Sequence, residues 1–201
     1  MDIEHASTCL NTFVKGLDSL NSTALDIPLR SDGSEYVIGD LAEDQKRALA
    51  AVVGRLKDYC SRKKKASDAV MRLTVSGVAG SGKSTWINTL VSIVRRLFNN
   101  NEAIGVYGPT GSAAFNAGGE TINRGFRVPI DIKTMKINDS TQKFLLKKYS
   151  RAICLVIDER SLLEANKLGC VEYFMAQCAH GGKNPLMSWG GIPIVILVGD
   201  D

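Results

Sequence analysis

The sequence predicts an α/β fold whose parallel sheet is flanked by helices, and three observations lead to it. Residues 103–107, 152–157 and 194–198 are apolar runs of strand length, rich in Val and Ile. They lack the polar alternation of a half-exposed strand, so they read as strands buried on both faces. Stretches with helical spacing separate them, which calls for crossovers rather than hairpins. Finally, the alternation Met71, Leu73, Val75 runs into a glycine-rich turn at Gly77, and a helical stripe follows it.

Residues 1–39 carry no sustained period, and Ser31-Asp32-Gly33-Ser34 reads as a turn, so this segment is expected to be loosely structured or a small hairpin. At Asp40 the pattern changes. Asp40 with Glu43 resembles a capping box, and Leu41, Gln45, Ala48, Leu49, Val52, Val53, Leu56 and Tyr59 fall at helical spacing. An amphipathic helix of about nineteen residues is expected there. Residues 60–68 are polar and basic and read as a connecting loop. Within residues 85–98, Trp86, Ile87, Leu90, Val91, Val94, Leu97 and Phe98 form one apolar stripe. The domain proper is expected over residues 40–201.

Composition narrows the class. Of the 201 residues 44% are apolar and 23% charged, enough for a real core and too apolar for disorder as the main state. No apolar run is long enough to span a bilayer, and the N-terminus is acidic where a signal peptide would be basic and then apolar. An intracellular protein with no membrane association is expected. The five cysteines are odd in number and show no C-x-x-C spacing, so free thiols in a reducing compartment are expected. Net charge is +4, which permits a nucleic-acid partner without requiring one. Two basic clusters, Arg62-Lys63-Lys64-Lys65 and Lys143, Lys147, Lys148 with Arg151, read first as solvated surface.

Gly77-Val78-Ala79-Gly80-Ser81-Gly82-Lys83-Ser84-Thr85 satisfies G-x-x-x-x-G-K-[ST] and lies between a predicted strand and a predicted helix. Gly77, Gly80, Ser81 and Gly82 let backbone N–H groups turn inward around a β-phosphate, and the helix N-terminus adds partial positive charge. Lys83 bridges β- and γ-oxygens, Ser84 holds magnesium through its hydroxyl, and Thr85 assists or begins the helix. Such a loop needs a second metal residue on a neighbouring strand. The apolar run 153–157 ends in Asp158 and Glu159, which supplies a carboxylate for the magnesium shell and a general base for the attacking water. Hydrolysis of a nucleoside triphosphate with Mg2+ is the expected reaction.

Further stretches narrow the class of NTPase. Gly108-Pro109-Thr110-Gly111-Ser112-Ala113-Ala114 with Glu120-Thr121-Ile122, Asp158-Glu159-Arg160-Ser161-Leu162, and Trp189-Gly190-Gly191 leading to Gly199-Asp200 stand in order along the chain. Together they resemble the first RecA-like domain of the Pif-type DNA helicases, a superfamily 1 group related to the RecD type. The resemblance covers residues 40–201. It implies a RecA-like P-loop domain that uses ATP to move on single-stranded DNA and unwind duplexes, with roles in repair and recombination. By that resemblance Thr110, Gly111 and Ser112 contact the DNA backbone, Asn123 lies in a DNA-contact segment, and Gln45 reads adenine.

The chain departs from the family at Asn123, where a histidine is common, and at Arg160-Ser161-Leu162, where Ile-Ser-Met is usual. It stops at Gly199-Asp200-Asp201, before the family's γ-phosphate-sensing glutamine and without the second RecA-like domain. The expectation is therefore a motor-domain fragment, incomplete at its C-terminus, that binds nucleotide weakly and does not unwind DNA unaided. In a eukaryote the nucleus or another DNA-containing compartment would follow. The runner-up is a P-loop phosphotransferase or another P-loop NTPase that does not act on DNA; a phosphotransferase would carry an arginine-rich lid after the carboxylate strand, and residues 162–191 contain no arginine. A nucleic-acid-binding module with a relic nucleotide site is the third reading.

Overall fold

The computed structural model describes residues 38–61, 71–116, 118–130, 132, 136–178 and 187–200. The hairpin expected at residues 31–34, the basic run 62–65, Cys9, His5 and His180 lie outside the described residues. Strands β1 (Met71–Ser76), β2 (Ile104–Gly108), β3 (Glu120–Thr121), β4 (Cys154–Ile157) and β5 (Ile194–Gly199) form one sheet in the order β1-β5-β4-β2-β3. Every pairing is parallel. The sheet matches the α/β expectation, and β1, β2, β4 and β5 lie within two residues of their expected spans; the two-residue β3 was not expected from the sequence.

Side chains alternate across the sheet, and β2, β4 and β5 are covered on both faces, while the edge strand β1 exposes Arg72, Thr74 and Ser76 on one. Val106, Cys154, Val156, Ile194, Ile196 and Val198 pack with helices α1 (Glu43–Ser61) and α2 (Lys83–Phe98). Tyr107, Leu155, Ile157 and Val195 pack on the opposite face with α4 (Ile122–Phe126), α5 (Asp139–Tyr149) and α6 (Ala165–Gln177). Two-sided burial is why these strands read as unbroken apolar runs. The short α3 (Gly111–Asn116) follows β2.

Helix α1 begins at Glu43, later than the capping box at Asp40 implies. Gln45 Oε1 accepts the Ala42 N–H at 3.0 Å, so the reach-back bond comes from two residues further on than Glu43. The helix continues through Ser61, and Cys60 is buried in its last turn rather than starting a loop. Helix α2 starts two residues before the expected Thr85 and stops at Asn99, whose left-handed backbone (φ 44°) directs its N–H to Arg95 and Arg96 carbonyls. Trp86, 1% exposed, is a core residue as expected, and its Nε1 donates to the Gln45 carbonyl at 3.0 Å.

Helices α3 to α6 are not marked in the sequence by a long apolar stripe. The side chains of Thr121 and Asn138 cap α4 and α5, accepting from Arg124 N and Thr141 N. Of the second basic cluster, Lys148 is partly buried and paired with Glu120, while Lys143, Lys147 and Arg151 are exposed. Trp189 is buried on the α6 side, its N–H held by Glu172 Oε1 at 3.1 Å.

Candidate functional site

Parallel register brings the C-terminal ends of β1, β5, β4 and β2 to one edge of the sheet: Ser76 stands beside Gly199, Ile157 beside Leu197, and Tyr107 beside Ile157. In an open parallel sheet this edge is where ligands bind. The segment from Gly77 to Gly82 leaves β1 here and enters α2. Gly80 and Gly82 hold φ of +78° and +85°, a left-handed backbone that glycine adopts without steric cost. A Cβ at Gly82 would lie 3.0 Å from Gln45 Nε2, so glycine there also lets α1 approach.

Gln45 Nε2 donates to the Ser81 carbonyl at 2.9 Å. Within the loop Ser81 N–H turns back to the Val78 carbonyl at 3.1 Å, and the helical ladder starts with Trp86 N–H on the Gly82 carbonyl at 3.0 Å. The N–H groups of the first turn of α2 have no carbonyl a turn behind them, and the helix dipole adds positive charge at the same place. Ser84 is exposed there and Thr85 is half-buried. Lys83 folds back over the loop: its Nζ lies 2.5 Å from the Gly77 carbonyl, 3.1 Å from the Val78 carbonyl and 2.5 Å from Asp200 Oδ1.

At the end of β4, Asp158 is 6% exposed and its Oδ1 accepts the Glu159 N–H at 2.9 Å. Burial raises its carboxyl above the ordinary value of 3.8, the Glu159 N–H and the Lys83 charge oppose that, and Asp200 adds to it. Glu159 has φ 54° and ψ 46°, a left-handed backbone that is costly for a residue with a side chain. The turn swings Arg160 across β5, where Nη2 donates to Ser76 Oγ at 2.9 Å. A Cβ at Gly199 would sit 2.9 Å from the Arg160 nitrogen, so the crossing needs glycine beneath it.

The structure thus gathers Gln45, Gly77, Gly80, Ser81, Gly82, Lys83, Ser84, Thr85, Asp158 and Glu159 at one sheet edge. Asp200, absent from the residues expected in the site, joins them. Its signal was the register: β5 pairs with β1, so the residue following β5 falls beside the phosphate loop. Magnesium suits this donor set, since it takes hard oxygen ligands and completes its shell with phosphate oxygens and water. Among the described residues no group of three or more His, Cys, Asp or Glu could hold a metal by itself.

Thr110, Gly111 and Ser112 are exposed at the end of β2, next to β4 in the sheet. Thr110 Oγ1 accepts the Ala113 N–H at 3.2 Å and lies 3.2 Å from Ser112 Oγ, so it also caps α3. Asn123 is set inside α4, and its Nδ2 donates to the Val128 carbonyl at 2.9 Å, fixing the turn after that helix. No helix among the described residues is long and apolar enough to cross a membrane.

Comparison with known proteins gives the family. The family described as PIF1-like helicase matches residues 40–201. The ATP-dependent DNA helicase PIF4 of Trypanosoma brucei brucei is 30% identical over 188 residues, covering 90% of this chain and 20% of the relative. The ATP-dependent DNA helicase RRM3 of Saccharomyces cerevisiae is 33% identical over 130 residues, covering 62% of this chain and 17% of the relative. The chain therefore spans about a fifth of the length of these relatives. Among solved structures, one describing DNA unwinding at forked double-stranded DNA by two coordinating Pif1 helicases superposes with a TM-score of 0.54 at 25% identity, over 80% of this chain and 33% of the other. The Pif1 helicase of Candida albicans shares the fold with a TM-score of 0.59 at 21% identity, over 80% of this chain and 32% of the other. With its RecA-like sheet, its phosphate loop and a family match over residues 40–201, the chain belongs to the PIF1-like helicase family.

Proposed function

We propose that this chain is the nucleotide-binding part of an ATP-dependent DNA helicase, and that the whole protein uses ATP to move along single-stranded DNA and open duplexes. The observation that carries this is the position of the Lys83 ammonium, folded into the Gly77–Val78 stretch with the Asp158 and Glu159 strand end beside it. Gly77, Gly80, Ser81 and Gly82 shape the cradle for the β-phosphate. Lys83 neutralises charge on the β- and γ-oxygens. Ser84 and Asp158 would hold magnesium, which neutralises phosphate charge and orients the γ-phosphoryl group when bound. Thr85 supports the same turn.

Glu159 is the general base. Its carboxylate orients a water in line with the γ-phosphorus and takes its proton as the bond to the leaving oxygen breaks. Gln45 ties the loop to α1 and faces the base of the nucleotide. Thr110, Gly111 and Ser112 offer small side chains and exposed backbone to a DNA phosphate, and Asn123 positions the neighbouring turn. Their place at the end of β2, beside the end of β4, supports a link between DNA contact and the carboxylates. Unwinding belongs to the whole protein, because stepping requires two grips that move relative to one another.

Nucleotide binding and ATP hydrolysis by the purified chain, with and without single-stranded DNA, test this reading. Lys83→Ala should abolish binding, and Glu159→Gln should keep binding while losing turnover. Binding that survives Lys83→Ala unchanged would overturn it.

A further inference from the structure

We propose that Asp200 is a further residue of the nucleotide site, a competitor that occupies on Lys83 the place a phosphate oxygen takes and thereby sets nucleotide affinity. This rests on the reading of the loop as a nucleotide site. An ammonium group has three hydrogens and no acceptor. In Lys83 they have three partners, the Gly77 and Val78 carbonyls and Asp200 Oδ1 at 2.5, 3.1 and 2.5 Å. The Lys83 side chain is only 14% exposed, so water cannot easily replace any of them.

A phosphate that reaches Lys83 must displace one partner. Gly77 is fixed to β5 by its N–H on the Gly199 carbonyl at 3.2 Å, and its carbonyl stays with the loop backbone. Asp200 follows the last residue of β5 and its side chain is 45% exposed, so it can swing away and regain water. The exchange puts one anion in place of another on the same cation. Asp200 already disfavours the ionised form of Asp158, so a phosphate arriving at Lys83 adds negative charge to a place where two carboxylates lie close together. Without magnesium, the incoming phosphates, Asp158 and a displaced Asp200 repel one another; a divalent cation relieves that repulsion. Competition by Asp200 is therefore strongest against metal-free nucleotide.

The test is the dissociation constant of ATP and ADP for the 201-residue chain, measured by calorimetry in EDTA and in magnesium, with folding checked by circular dichroism. Asp200→Asn should tighten binding in EDTA by about tenfold or more, the scale of one hydrogen bond between charged groups. The gain should be smaller in magnesium and should shrink with added salt. Asp200→Glu should bind like the unaltered chain, and Asp139→Asn, on α5, should change nothing, which separates the effect from net charge. Unchanged or weaker binding by Asp200→Asn in EDTA overturns the proposal, and a loss confined to magnesium would make Asp200 a metal-shell residue instead. Should neither the unaltered chain nor Asp200→Asn bind while both are folded, the nucleotide-site reading itself fails.

Discussion

The side-chain amide of Gln45 joins two backbones, accepting the Ala42 N–H with Oε1 and donating from Nε2 to the Ser81 carbonyl, at 3.0 and 2.9 Å. Helix α1 is thereby fastened to the crown of the phosphate loop, and a residue expected only to read a base also holds the loop in shape. Removing the donor should be felt more in ligand affinity than in folding, since Ser81 is exposed and its carbonyl can turn to water. Gln45→Ala should weaken nucleotide binding by about three- to tenfold, the scale of one lost hydrogen bond. Titration of nucleotide into the variant, beside a thermal melt, separates the two effects; equal affinity would show that the bond does not shape the loop.

Glu159 holds its left-handed backbone at φ 54° while presenting the carboxylate expected to activate water. That conformation costs a residue with a Cβ about 1–2 kcal/mol, which glycine escapes. Glu159→Gly should therefore unfold at higher denaturant than Glu159→Ala, by about 1 kcal/mol. Both variants should lose ATP turnover. An alanine variant as stable as the glycine variant would mean that the turn is not held in this strained form.

Asp158 gives the fold a pH dependence of definite sign. Burial raises its carboxyl above 3.8, so between the ordinary value and the raised one the native state binds more proton than the unfolded chain. Its contribution to stability is fully present below the ordinary value and is lost as pH rises through the raised one. At neutral pH the ionised carboxylate is thus a cost in the ligand-free protein. Asp158→Asn should melt higher than the unaltered protein at pH 7, and the difference should shrink as pH falls through the carboxylate range. Denaturation midpoints from pH 3 to 7 check this, and a gap that widens toward acid would contradict it.

Cys60, Cys154, Cys170 and Cys178 are free and buried. Burial pushes the thiols of Cys60 and Cys178 up to about 11 and raises those of Cys154 and Cys170. Reaction with a thiol reagent requires thiolate, so all four should be slow in the native protein at pH 8 and fast in urea. In a Cys9→Ser variant, a time course that shows a fast native thiol would place one of these cysteines at the surface.

Much of the candidate site was legible because it is local. The pattern from Gly77 to Thr85 specifies a strand, a left-handed turn and a helix start within a few residues, and the apolar run ahead of Asp158 marks a buried strand end. Local chemistry decides such features before anything packs on them. Helices α3 to α6 were not legible element by element. They are short or weakly striped, and the core beneath the sheet holds α4, α5 and α6 rather than their own periodicity. The start of α1 depended on which residue supplied the cap, and a side chain three residues on made that choice; at its other end Cys60 is held in the helix by burial in the core.

By itself the sequence determined the α/β class, the glycine-rich strand-to-helix loop, the pair of carboxylates at a strand end and the positions of the buried strands, because each follows from neighbours along the chain. Only the tertiary structure decided which strand ends meet. The order β1-β5-β4-β2-β3 sets Asp200 against Lys83, residues separated by 117 positions, and lays Arg160 over Gly199 to reach Ser76. Such contacts arise from parallel register and from two faces buried at once, so no local stretch of the chain encodes them.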